Sequence, residues 1–275
     1  MEVRIYPKFL IASFLLSASL VFTQESAMDP TPKDQENSDK NISQNTRIKD
    51  YRLAKRILKK IHAKNQREIY CGCAYEYTKG NNSIPIPVLD LSCGLAIRSN
   101  KQRGYRMEWE HVVPAHRFGR ELSCWKEKLC SKNGKKFGGR NCCNILSSEF
   151  ARREADLHNI QPSAGELNAD RANFSFGEIP GEERKYGTCD FEVDFKKKLA
   201  EPREEIRGDL ARSYLYMNEA YSLGLSQKEI QLFNEWNRLD PPDEWEIERN
   251  RLIQKYQGNA NPFIENYELL QSRSN

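Results

Sequence analysis

Eight cysteines (Cys71, Cys73, Cys93, Cys124, Cys130, Cys142, Cys143 and Cys189) fall within the middle of a 275-residue chain, and their chemistry depends on the compartment it reaches. Residues 1–8 carry Arg4 and Lys8, and Phe9 to Phe22 is an uncharged apolar run of 14 residues. A basic start followed by an apolar stretch too short to span a bilayer comfortably has the layout of a signal peptide. A membrane anchor or a buried helix is the competing reading. Two small-residue cleavage sites, Val21-Phe22-Thr23 and Glu25-Ser26-Ala27, are both imperfect. Export would put the cysteines in an oxidising compartment, where an even count favours disulfides. A structural zinc site is the weaker alternative, because Cys71-Gly72-Cys73 is a C-x-C and no C-x2-C pair occurs. The sequence does not choose among the possible connectivities, but the span from 71 to 189 is where the fold is most constrained.

The expected organisation is a leader over 1–23, a polar, disordered tether over 24–46, and one folded domain over 47–275. Twelve Phe, twelve Tyr and four Trp can fill a core, which excludes wholesale disorder. Ile48, Leu53, Ile57, Leu58 and Ile61 recur at helical spacing, predicting an amphipathic helix near 47–65. Tyr70 to Tyr77 reads as extended, and Arg106 to Pro114 as a strand running into a loop. Helices are expected over 150–158, 166–174, 207–223, from Ser226 to about Arg238, and over 243–256. Leu210, Tyr214, Met217 and Tyr221 mark one face of the 207–223 helix, and Ser226 with Glu229 forms a capping box. No later apolar run is long enough to cross a membrane, so the mature chain is expected to be a soluble monomer of α+β class.

Charge is unevenly spread. From Arg98 to Cys142 there are twelve basic residues and four acids, a local +8, which leaves −5 for the rest of the chain after the leader. A basic segment in an otherwise acidic protein is the footprint expected for a polyanion partner. A solvated loop that only aids solubility fits the charge equally well.

Four histidines exist: His62, His111, His116 and His158. His62 reads as a surface residue of the first helix. His111 follows Glu110 at the end of a predicted strand, inside the basic segment. Adjacent strand residues point to opposite faces, so the strand must end or twist there for the two to share a site. Phosphodiester hydrolysis needs a base near neutrality, a hard cation on oxygen ligands, and a fixed positive group at the phosphate. Glu110, His111, Asn159, Asn168, Asn173 and Arg140 supply these types, although a lone Glu-His pair is weak evidence.

The stretches MEWEHVVPAHRFG (107–119), CW (124–125), GGRNC (138–142), EADLHNIQPSAGELNADRANF (154–174) and GDLARSYLYM (208–217) make the chain resemble the bacterial endonuclease I family. DEWE (243–246) and QGNANPFI (257–264) extend the resemblance, which covers about residues 50–275. It implies a periplasmic or secreted nuclease with a ββα-metal core, cutting DNA and also RNA with little sequence preference. By position, His111 would be the general base and Glu110 and Asn168 the ligands of one Mg²⁺, or of Mn²⁺ or Ca²⁺ in its place. Arg140 would bind the cleaved phosphate and Asn159 would brace the loop holding His111, leaving 5′-phosphate ends. Arg106, Arg117, Lys126, Lys135, Lys136 and Arg171 are expected to contact nucleic acid. His116 and His158 are expected to be structural or to touch phosphate, and Trp109 and Trp125 to be core.

Residues 126–137 (KEKLCSKNGKKF) depart from the family pattern as an insertion, bringing Cys130 and five lysines. Cys143 beside Cys142 is also unusual, and the expectation is that Cys130 and Cys143 bridge each other. The competing functions are a non-catalytic exported nucleic-acid-binding protein and a hydrolase of small phosphate esters.

Overall fold

The computed structural model describes residues 44–45, 47–80, 85–181 and 183–272. The leader over 1–23, and all but the end of the tether over 24–46, lie outside these. At that end Asn45 is already buried, with its amide nitrogen donating to the carbonyls of Ile48 (2.6 Å) and Arg152 (3.1 Å). The ordered domain therefore takes in the last residues assigned to the tether.

Helix α1 (Tyr51–Ile61) starts where the Asp50 side chain accepts from the Arg52 amide, and it buries Ala54, Leu58 and Ile61. That apolar stripe joins Ile48, Leu157, Ile160 and Ile253 in a small satellite core. Strands β1 (Tyr75–Lys79) and β2 (Pro85–Leu89) pair antiparallel, Tyr75 facing Leu89. Strand β3 (Met107–His111) pairs antiparallel with β6 (Ile160–Ala164), Met107 facing Ala164 and His111 facing Ile160.

Between these partners the chain makes a small hairpin, β4 (Cys130–Lys132) and β5 (Lys135–Phe137), then helices α2 (Arg140–Leu146) and α3 (Ser148–Glu154). Helix α4 (Gly165–Arg171) follows β6 directly, so two antiparallel strands and a helix stand together. A three-stranded sheet completes the β content of the described residues. Its middle strand β9 (Leu199–Pro202) runs parallel to β7 (Ser175–Phe176) and antiparallel to β8 (Phe191–Asp194).

The C-terminal half is helical: α5 (Arg207–Tyr221), α6 (Gln227–Leu239) and α7 (Glu244–Gln257). The expected Ser226–Glu229 capping box opens α6. Helix α5 buries the four residues expected on its apolar side, but also Ala211, Ser213, Leu215 and Tyr216. It is covered all round rather than on one face, which is how a central helix differs from a surface one. Its buried Arg212 forks onto Glu246 of α7 at 2.8 and 2.5 Å, tying the two helices together. The described residues thus form one mixed α+β domain.

All eight cysteines are bridged: Cys71–Cys189, Cys73–Cys93, Cys124–Cys143 and Cys130–Cys142. The expected Cys130–Cys143 bridge is not formed. Successive residues of a helix point about 100° apart, so neighbouring Cys142 and Cys143 of α2 reach different partners. Cys142 meets the hairpin, and Cys143 meets the segment before it. Among the described residues, no helix is long and apolar enough to cross a membrane.

Candidate active site

Alternation along β3 puts Glu108 and Glu110 on one face of the strand. Both line an open cleft of about 850 Å³, together with Tyr51, His111, Arg140 and Asn168. Residues from both faces reach it because the cleft follows the edge of β3 that β6 leaves unpaired. There the Tyr51 hydroxyl donates to the Trp109 carbonyl at 3.1 Å. The strand ends at His111, as sharing a site with Glu110 requires.

His111 is buried, and its Nε2 lies 2.8 Å from the backbone carbonyl of Glu154. A carbonyl only accepts, so Nε2 carries the proton and the neutral ring keeps its lone pair on Nδ1. Burial, and then the Arg140 charge, lower the pKa of His111 to about 3, so the ring is neutral near pH 7. Tyr51 packs on it, ring centroids 4.9 Å apart.

Glu154 does two jobs at the end of α3. Its carbonyl holds His111, and its buried carboxylate accepts from Arg140 Nε at 2.5 Å. Arg140 opens α2 and stays 43% exposed, so the rest of its guanidinium can face the cleft. Asn159 is fully buried and clasps the chain just beyond His111. Its Oδ1 accepts from Val113 N (2.7 Å), its Nδ2 donates to Val113 O (3.0 Å), and its own carbonyl accepts from Val112 N (2.9 Å).

Glu110 Oε1 accepts from Tyr70 Oη (3.1 Å) and Arg171 Nη1 (2.8 Å). Burial pushes this carboxyl up, and the Arg171 charge pulls it back. Arg171 was expected to contact nucleic acid, and the structure corrects this. It is completely buried, donating also to the carbonyls of His111 (2.9 Å) and Val112 (2.5 Å) and accompanied by Tyr214 Oη at 3.0 Å. Four oxygens converging on one guanidinium at the end of β3 are an internal clamp. Asn168, half-buried on α4, donates to Glu108 at 3.0 Å, and Arg103 forks onto the same carboxylate at 2.8 and 2.7 Å.

The remaining sequence candidates lie away from this cleft. Arg106 is exposed and donates to the Gln102 carbonyl. Arg117 pairs with Glu229 at 3.0 Å in a separate hollow that it shares with His116. Lys126 pairs with Glu121 at the surface, and Lys135 and Lys136 are exposed on β5. His158 is buried against the Asn259 carbonyl (3.1 Å), a structural place. His62 is buried as well, contrary to expectation: it sits edge-on to Trp109 and Trp245 with Arg249 Nε 3.4 Å from its Nε2. Trp125 packs on Phe150 as core, whereas half-buried Trp109 serves both the core and the cleft wall.

Sequence reasoning missed Glu108, Tyr51, Tyr70 and Glu154. Glu108 was available from the two-residue period of MEWEH. The others arrive from distant segments and carry no local signal. One further cluster of possible ligands, Glu68 with Cys71 and Cys73, is spoken for. Both sulfurs are in disulfides, and the carboxylate accepts from the amides of Tyr70, Cys71, Cys73 and Ala164.

A neutral imidazole and two carboxylates lining an open cleft of a disulfide-stapled domain are the groups that a hydrolase uses. The Endonuclease I family model matches residues 45–268. An Endonuclease-1 of Buchnera aphidicola subsp. Acyrthosiphon pisum (strain APS) is 42% identical over 219 residues, 79% of this chain and 81% of that one. An extracellular deoxyribonuclease of Aeromonas hydrophila is 43% identical over 217 residues, 78% of this chain and 88% of its own. A periplasmic deoxyribonuclease of the same organism is also 43% identical over 217 residues, with 78% and 85% covered. The chain belongs to the endonuclease I family and is a nuclease.

Proposed function

We infer that this nuclease cuts DNA, and RNA as well, at internal phosphodiester bonds without sequence preference, and that His111 Nδ1 is the base that activates water. The observation that carries this reading is the Nε2–H bond to the Glu154 carbonyl, which fixes the tautomer and leaves the basic nitrogen as Nδ1. A leader ending near residue 23 accounts for its export to the periplasm or the medium.

A single divalent cation suits the donor set. Glu110 Oε2 and Asn168 Oδ1 take no hydrogen bond from the described residues, and both residues line the cleft. Few protein ligands, both hard oxygens, favour Mg²⁺, with Mn²⁺ or Ca²⁺ as substitutes. Bound there, the ion supplies positive charge at the phosphoryl and leaving 3′ oxygens.

The chain's own groups do the rest. Tyr70 and Arg171 hold Glu110 in one orientation, and Asn159 fixes the turn after His111. His111 takes a proton from a water lying in line with phosphorus, and Arg140 stays at the rim to meet the phosphate's charge. No covalent intermediate forms, and the product ends are 5′-phosphate and 3′-hydroxyl. Contacts are to phosphates, which position the strand without reading bases.

The test is nicking of supercoiled plasmid with Mg²⁺, with excess EDTA, and with Mg²⁺ restored. Activity should stop and return, and DNA ligase should seal the nicks directly. EDTA-resistant nicking, or nicks that ligase closes only after a kinase has phosphorylated them, would contradict the reading.

A further inference from the structure

Beside the catalytic cleft, a hollow of about 1010 Å³ runs between α1 and the strands β1, β2 and β3. Tyr51, Glu108 and Trp109 line both, so one opens into the other. The α1 wall presents Arg52, Lys55, Arg56 and Lys59. Their spacing of i, i+3, i+4 and i+7 is that of a single helical face, opposite the buried Ala54, Leu58 and Ile61. The facing wall offers Tyr77, Pro85 and Pro87.

These cations have little to neutralise them within the protein. Among the described residues, no carboxylate pairs with Lys55, Arg56 or Lys59. The ammonium groups of Lys55 and Lys59 rest instead over the rings of Tyr51 and Tyr77, at 4.8 and 3.7 Å. Arg52 has one carboxylate contact, to Asp50 at 3.7 Å, where side-chain exposures of 87% and 49% let solvent screen it. Like charges on one helical face repel each other, so the face gains most from an external row of anions. Lys59 covers one side of the Tyr77 ring, and that side is closed to a stacking base. The hollow therefore suits backbone charge more than bases.

We propose that the Arg52–Lys55–Arg56–Lys59 face of α1 is a second binding site for the phosphodiester backbone, holding the substrate strand as it leaves the scissile position. The proposal rests on the reading of the adjacent cleft as the place of cleavage. Seven residues of helix rise about 10 Å, and one duplex strand carries a charge roughly every 3.4 Å of axis. The face spans about three phosphates. It favours long substrates over those that fill the cleft alone, by lowering KM without touching the chemical step.

The test is a triple substitution, Lys55→Gln with Arg56→Gln and Lys59→Gln, in the full chain. Arg52 is kept because it also lines the catalytic cleft. KM and kcat are measured on a long duplex and on a trinucleotide. The salt dependence of long-duplex binding is measured on a His111→Ala background. Each lost phosphate contact lowers the slope of log K against log salt by about 0.9, so the slope should fall by about 3. KM for the duplex should rise roughly tenfold or more with kcat unchanged, and the trinucleotide should be cut as before. Lys60→Gln, on α1 but outside the hollow, should leave the slope in place, and thermal unfolding should confirm that the triple variant is folded. An unchanged slope, or equal losses on duplex and trinucleotide, overturns the proposal. Wild-type protein that cuts neither substrate overturns the reading of the cleft instead, and the slope alone then decides the binding site.

Discussion

Between Arg98 and Cys142 the chain carries twelve basic residues, whereas α1 carries five. Among the described residues, six of the twelve are in ion pairs: Arg98 with Asp170, Arg103 with Glu108, Arg117 with Glu229, Arg120 and Lys126 with Glu121, and Arg140 with Glu154. Among the described residues the single pair on α1 is that of Arg52 with Asp50, as open to solvent as the two Glu121 pairs. Three of the five partner carboxylates, Asp170, Glu229 and Glu154, come from outside the segment, where a count of its own charge does not reach. A segment's net charge thus says how much positive charge is available to be neutralised. The fold decides how much of it remains to meet a partner.

Arg171 is the extreme of the neutralised kind, and breaking it should have the largest effect. Arg171→Ala leaves Glu110 buried without its counter-charge and strips the His111 and Val112 carbonyls of their donor. Loss of one partner of a buried pair costs about 3–5 kcal/mol. Chemical denaturation should show a loss of that order. Arg171→Lys should recover only part of it, because an ammonium cannot reproduce the fork. Unaltered stability with weakened DNA binding would return Arg171 to the substrate surface.

The hairpin lysines give the smaller contrast. Lys135 and Lys136 are exposed but line neither hollow. Lys135→Gln with Lys136→Gln should lower the salt slope by at most about 2, at roughly 0.9 per contact, less than the α1 triple variant. A drop equal to or beyond that of α1 would reverse the comparison and make the 126–137 insertion the main track.

Much of the scaffold was legible. The capping box at Ser226, the strand ending at His111, and the helices over 207–221, 227–239 and 244–257 all follow from local pattern. The site was legible only in part. Glu110, His111, Arg140 and Asn168 stand round one cleft, and Asn159 clasps the turn beside it. What holds them came from elsewhere. Tyr70 reaches Glu110 across 40 positions and Glu154 reaches His111 across 43, pairings set by packing rather than by any period in the chain. The same limit explains the errors. His62 follows Ile61 at the end of a basic helix, and the arrival of Trp109 from β3 and of Trp245 and Arg249 from α7 buries it. Cys142 and Cys143 are equivalent in sequence and separated only by helical rotation.

The central claim is that a neutral His111, held through Nε2, activates water in this cleft. It is tested most directly by comparing single-turnover plasmid cleavage by wild-type protein and His111→Ala, in Mg²⁺ at neutral pH, with DNA retardation measured in parallel. A general base contributes roughly 10²–10⁴ in rate, so the variant should lose cleavage by that margin while still retarding DNA. Cleavage by His111→Ala within a few-fold of wild type would contradict the account and place the base elsewhere.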